Sequence, residues 1–98
     1  MSNPEESEDR GSLRPHPQVV ARCVEGEVVL IQLDRNSIYA LNRTGARFWG
    51  LIVDGRSQSE AFEQMLMEFD VTRADLQTEI DGFLELLLRE GLVVRIDT

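Results

Sequence analysis

A chain of 98 residues, 42% of them hydrophobic, can enclose one modest core and is too short to add a deep, enclosed active site. Its 18 acidic residues outnumber the 10 basic ones for a net charge of -8, which argues against nucleic acid or an anionic bilayer as partner, because such binding comes largely from Lys and Arg neutralising phosphates. No apolar run approaches the roughly 18 residues of a membrane helix, the N-terminus lacks a basic start and apolar stretch, and the single Cys23 has no internal partner, so a reducing, cytoplasmic setting is expected.

Residues 1–17 hold Pro4, Pro15 and Pro17, a cluster of acids from Glu5 to Asp9 and almost no large apolar side chain. Such a segment cannot offset the entropy of ordering itself, so a disordered acidic tail is expected, with the domain spanning residues 18–98. His16, the sole histidine, falls in that tail.

Two β-branched runs follow, residues 19–24 and 28–33, joined by Glu25-Gly26-Glu27, a short glycine-containing connection that suits a hairpin. A third strand is expected over residues 37–41, after Asp34-Arg35-Asn36. Asn36 suits the left-handed position of a three-residue hairpin loop, because its short polar side chain tolerates positive φ. The product is an antiparallel meander with its third strand on an edge.

Asn42 is placed to cap a first helix whose Gly45, Phe48, Trp49, Ile52 and Val53 share one face, with Asp54-Gly55 as its end. The capping box Ser57-x-x-Glu60 opens a second helix, with Ala61, Phe62, Met65, Leu66 and Phe69 at helical spacing. Thr72 and Asp75 repeat the start signal for a third, which turns Leu76, Ile80, Phe83, Leu84 and Leu87 inward and stops at Gly91. Residues 92–96 read as a short final strand. The fold class is therefore α+β.

At about 100° per residue, Leu86 lies off the centre of the third helix's apolar stripe, on the flank of Glu79 and Phe83, and Gly82 lies further round the same side. Two readings stand here. Either Leu86 packs under the tail or the final strand, or this flank is one wall of a groove that Gly82 opens to another backbone. The acidic residues of the helices, Glu60 to Glu90 against only Arg73 and Arg89, likewise read as a solvated surface or as steering of a basic partner.

Catalysis has little to work with. The lone Cys and lone His fall in a strand and in the tail, no His/Cys cluster has metal spacing, and no Gly-rich phosphate loop follows a strand. No catalytic residue, metal or cofactor is expected. The edge strand is the more telling feature, since unpaired backbone groups without a blocking Lys or Pro suit peptide recognition by strand addition.

The order and spacing of Arg14-Pro15, the Asp34 turn, Tyr39-Ala40-Leu41-Asn42-Arg43-Thr44-Gly45, Trp49, Asp54-Gly55 and the Phe83-Leu84 to Gly91-Leu92 ending resemble the small proteins related to pyrroloquinoline quinone biosynthesis protein D. These are recognition elements for ribosomally made, modified peptides, and the form here is most similar to the stand-alone one of lasso peptide pathways. The resemblance covers residues 13–96. It departs at Asn36-Ser37, where a glycine-containing turn is common, and in the acidic tail.

The resemblance implies a winged helix-turn-helix type of fold and a non-catalytic adaptor. In it, the leader region of a precursor peptide adds to the third strand and packs into the cleft between that strand and the third helix. Carried over by position, the edge is Ser37, Ile38, Tyr39, Ala40 and Leu41, and the opposite wall is Leu76, Glu79, Ile80, Phe83, Leu86 and Leu87. Implied partners are a leader protease of the transglutaminase-like cysteine class and the macrolactam synthetase. The alternatives are a peptide chaperone serving a radical SAM enzyme of the quinone pathway, and a winged-helix DNA-binding regulator. The acidic third helix argues against the regulator.

A chain begun at Gly11 is expected to unfold within a few degrees of the full chain. Thermal unfolding of the two checks it, and a loss of several degrees would mean that the tail packs on the domain.

Overall fold

Two tight turns with forced backbone geometry produce the meander. In the computed structural model, which describes residues 12–96, β2 (Val19–Val24) and β3 (Glu27–Gln32) are joined by Glu25 at φ 52° and Gly26 at φ 85°. Two successive positive φ values make the primed turn whose twist matches that of the flanking strands. Glu27 thus belongs to β3, pairing with Val24, and the expected three-residue connection shortens to two. β4 (Ser37–Leu41) follows a four-residue turn over 33–36 closed by the Gln32–Ser37 pair, with Asn36 at φ 54° as its sequence leads one to expect. Leu33, expected in the strand, lies in that turn and is exposed.

The sheet order is β2-β3-β4, so both β2 and β4 are edges. Alternation puts Leu30, Gln32, Tyr39 and Leu41 on the inner face, while Ile38, 69% exposed, and Ala40 face outward.

A second, two-stranded ribbon corrects the expected tail. β1 (Leu13–Pro15) pairs antiparallel with β5 (Val93–Arg95), so order begins before residue 18. Leu13, the one large apolar residue of that stretch after Met1, is only 3% exposed and is part of the core. Backbone bonds extend the ribbon at both ends, from the His16 amide to the Leu92 carbonyl and from the Ile96 amide to the Ser12 carbonyl, each 3.0 Å. The expectation of disorder over residues 1–11 lies outside the described residues.

Helix α1 (Arg43–Val53) starts where the Asn42 side chain accepts from the Gly45 amide at 2.8 Å, and the chain leaves it through Gly55 at φ 95°. Its buried face is Gly45, Phe48, Trp49, Leu51 and Ile52; Val53, expected there, is exposed. The reciprocal capping box of Ser57 and Glu60 opens α2 (Gln58–Glu68), which buries Ala61, Phe62 and Met65. Thr72 caps α3 (Arg73–Arg89), whose buried stripe is Leu76, Ile80, Leu84 and Leu87. Gly91 at φ 69° turns the chain out of α3 and into β5. Among the described residues, no helix is long and apolar enough to cross a membrane.

Across the surface of α1 and α2, Arg47 grips Glu68 with two bonds, 2.7 Å from Nε and 2.6 Å from Nη2. Those bonds, with a further one from Gln64, hold the Glu68 carboxyl well below its usual range, at about 2. A depressed carboxyl stabilises the fold above its unfolded pKa, and that contribution is lost as pH falls through the folded value. Glu68→Gln is therefore expected to lower Tm by a few degrees at most at pH 7, as suits an exposed pair. The difference between variant and parent should shrink as thermal scans are taken from about pH 4.5 down to about pH 2.

Candidate functional site

Strand β4 offers its outer side to whatever approaches. In an antiparallel ladder only alternate residues of an edge strand direct both N–H and C=O to the neighbour, so the others direct theirs away from β3. Ser37, Tyr39 and Leu41 turn their side chains towards the helices, and Ile38 and Ala40 turn theirs away. No Lys or Pro interrupts the strand.

The residues assigned to the opposite wall divide into two sets. Leu76, Ile80 and Leu87 are buried and belong to the core. Glu79 is exposed, while Phe83 and Leu86 are half-buried, so these three form the reachable flank of α3. Phe83 joins that flank to α1. Its ring meets Phe48 edge to face, with centroids 6.0 Å apart, and covers Gly45 so closely that a Cβ there would lie 3.3 Å from two ring carbons. Gly45 thus lets the ring approach closely, and Asn42 caps the helix at the same point. Gly82 has open space beside it and stands next to Asp81, Leu84, Glu85 and Arg95.

At the other end, β4 and the turn before it are tied to the last turn of α3. The Tyr39 hydroxyl donates to Glu90 Oε1 at 2.7 Å. Gln32 Nε2 donates to the Gly91 carbonyl at 2.8 Å, while its Oε1 accepts from the Asp34 amide at 2.7 Å. Arg35 Nη1 donates to the Arg89 carbonyl at 2.9 Å and lies 3.9 Å from Glu90. The hydrogen bonds from Tyr39 and Arg89, aided by the charges of Arg89 and Arg35, hold the Glu90 carboxyl below its ordinary range against the opposing effect of desolvation.

Gln32, Arg35, Glu90 and Gly91 were not among the residues assigned from sequence. One signal was available for Gln32: it continues the inward alternation Val28, Leu30, Gln32, where a polar residue needs a built partner. Arg35 and Glu90 are close only through the fold.

No three or more His, Cys, Asp or Glu side chains gather as a metal group among the described residues. A concavity of about 590 Å³ lies away from β4, between β1, the end of α1 and the start of α2. β4 is instead an open strand edge among the described residues, and α3 carries the half-buried Phe83 and Leu86.

Meander, three helices and terminal ribbon together define a small α+β domain of winged-helix type with an open sheet edge. The chain belongs to the PqqD family: the family model described as coenzyme PQQ synthesis protein D matches residues 27–93. Among solved structures, it is similar to one described as TbiB1 in complex with the TbiA(beta) leader peptide. The TM-score there is 0.75 at 26% identity, over 82% of this chain and 93% of that one. A second, described as lasso peptide synthetase B1 complexed with the leader peptide, shares the fold with a TM-score of 0.76 at 22% identity, over 85% and 98% of the two chains. No curated protein matches the chain.

The division of the α3 wall has a direct consequence for stability. Leu87→Ala removes a fully buried side chain and is expected to cost about 2–5 kcal/mol. Leu86→Ala, at a half-buried position, is expected to cost less than half of that. Urea unfolding of both variants measures the difference.

Proposed function

We propose that this chain binds the leader region of a ribosomally synthesised precursor peptide, of the lasso peptide class, as a strand added to β4. The carrying observation is that Ser37–Leu41 is a sheet edge among the described residues, with Phe83 and Leu86 half-buried on α3, in a domain whose 26% identical structural neighbour is described in complex with a leader peptide. Main-chain pairing along β4 supplies affinity, and side chains inserted between Leu41, Tyr39, Phe83 and Leu86 supply selectivity. Ile38 and Ala40 contribute backbone only, since their side chains face outward. Buried Leu76, Ile80 and Leu87 hold the wall in place without touching the ligand, and Glu79 lines its rim.

In this reading the chain is an adaptor without catalytic residues, acting in the cytoplasm. It presents the bound precursor to a separate transglutaminase-like leader protease and to the macrolactam synthetase. Reading the leader and not the core lets one adaptor serve a variable product. The family's association with coenzyme PQQ synthesis supports a second reading, delivery of a peptide to a radical SAM enzyme, which uses the same edge.

Leu86→Asp is the discriminating variant. A half-buried position tolerates the change, whereas a carboxylate desolvated against an inserted apolar side chain lowers affinity by about tenfold or more, on the order of 1.4 kcal/mol. Calorimetric titration of folded parent and variant with synthetic lasso leader peptides measures this. Equal affinities would remove this flank of α3 from the site, and failure of the parent to bind any leader would remove the function.

A further inference from the structure

The cleft proposed beside β4 is closed at one end. Gln32, Arg35, Tyr39 and Glu90 converge there on the final turn of α3 and on Gly91, and the guanidinium of Arg35 lies across Gly91, 3.1–3.4 Å from where a Cβ would be. This end cannot yield to a ligand without breaking the bonds of Gln32, which is 1% exposed and would be left with an unpaired amide.

The local charge is balanced, in a chain that is acidic as a whole. Arg35 and Arg89 stand near two acidic residues, Asp34 and Glu90, and the Glu90 carboxylate already accepts from Tyr39 and Arg89. A guanidinium carries five N–H donors, and among the described residues a single hydrogen bond, from Nη1 to the Arg89 carbonyl, engages that of Arg35. Half of the Arg35 side chain is exposed to solvent. An exposed guanidinium with uncommitted donors thus marks the closed end of a chain whose net charge is -8.

An added strand places alternate side chains on the inner face, opposite Leu41, Tyr39 and Ser37 in turn. The first two positions meet the apolar flank of Phe83 and Leu86, and the third meets the closed end. We infer that the Gln32–Arg35–Tyr39–Glu90 cluster sets the register of the added strand, with Arg35 selecting a hydrogen-bond-accepting side chain, a carboxylate foremost, at the position facing Ser37. The inference rests on the strand addition proposed above. The recognised element is then apolar at i and i+2 and acidic at i+4, read from N- to C-terminus for an antiparallel strand and in reverse order for a parallel one.

The 98-residue chain, panned against an mRNA-displayed library of random peptides of about 12 residues, tests this. The parent should enrich two apolar residues followed at the same spacing by Asp or Glu. Arg35→Ala should return the acidic position to library frequency while the apolar pair persists, and Arg35→Lys should restore part of the preference. Glu90→Gln, which removes the competing carboxylate, should strengthen it, an opposite sign that mere loosening of the fold does not produce. Arg22→Ala, on the far strand, controls for net charge. An acidic preference unchanged in Arg35→Ala, or an apolar pair with no third preference in the parent, overturns the inference and leaves strand addition intact. Absence of any enriched peptide from the parent overturns both.

Discussion

Gln32 carries the constraint on which the rest of the site depends. It is a polar side chain at an inward position of β3, fully buried, with its amide nitrogen bound to the end of α3 and its oxygen to the turn before β4. A buried amide left unpaired costs roughly 1–3 kcal/mol, so sheet, turn and helix end are held in one arrangement. An apolar residue in the same place would fill the volume and fix nothing, because hydrophobic contact is non-directional. Through this bond the spacing between β4 and α3 is set before any ligand arrives, and preformed spacing reduces the ordering that binding must impose.

The remaining wall is built differently. Phe83 sits against Phe48 and over Gly45, so α3 is joined to α1 by close packing at the Leu41 end and to the sheet by hydrogen bonds at the Ser37 end. One end of the proposed cleft is therefore apolar, and the other is polar and charged. A main-chain ladder is indifferent to sequence, so in the proposed strand addition such unequal ends are what would give a short extended peptide a defined position along β4.

Much of this was legible in the residues, and the exceptions are instructive. Caps at Asn42, Ser57 and Thr72 and the left-handed Asn36 follow from local chemistry alone, and each lies where that chemistry requires. The stripe of Leu76, Ile80 and Leu87 was legible as apolar, but periodicity cannot say whether an apolar side chain faces the core or a groove; burial assigns all three to the core. Leu13 was hidden for another reason: three residues between prolines and acids show no strand period, and their order comes from a partner near the other end of the chain. Arg35 and Glu90 share no sequence signal, since the contact depends on the turn and the helix end being brought together.

The ribbon of β1 and β5 has a consequence for how the molecule forms. Leu13 pairs with Arg95, and the ladder therefore joins the two ends of the described chain. During synthesis the meander and the first two helices emerge with all their local partners, whereas β1 must wait for the last residues of the domain. Its pairing carries the loop-closure entropy of nearly the whole chain and is favourable only once α3 has positioned β5. The ribbon is thus the last element to close and, by the same entropy, the first to fray, at a distance from the edge of β4 in the chain and in a separate sheet.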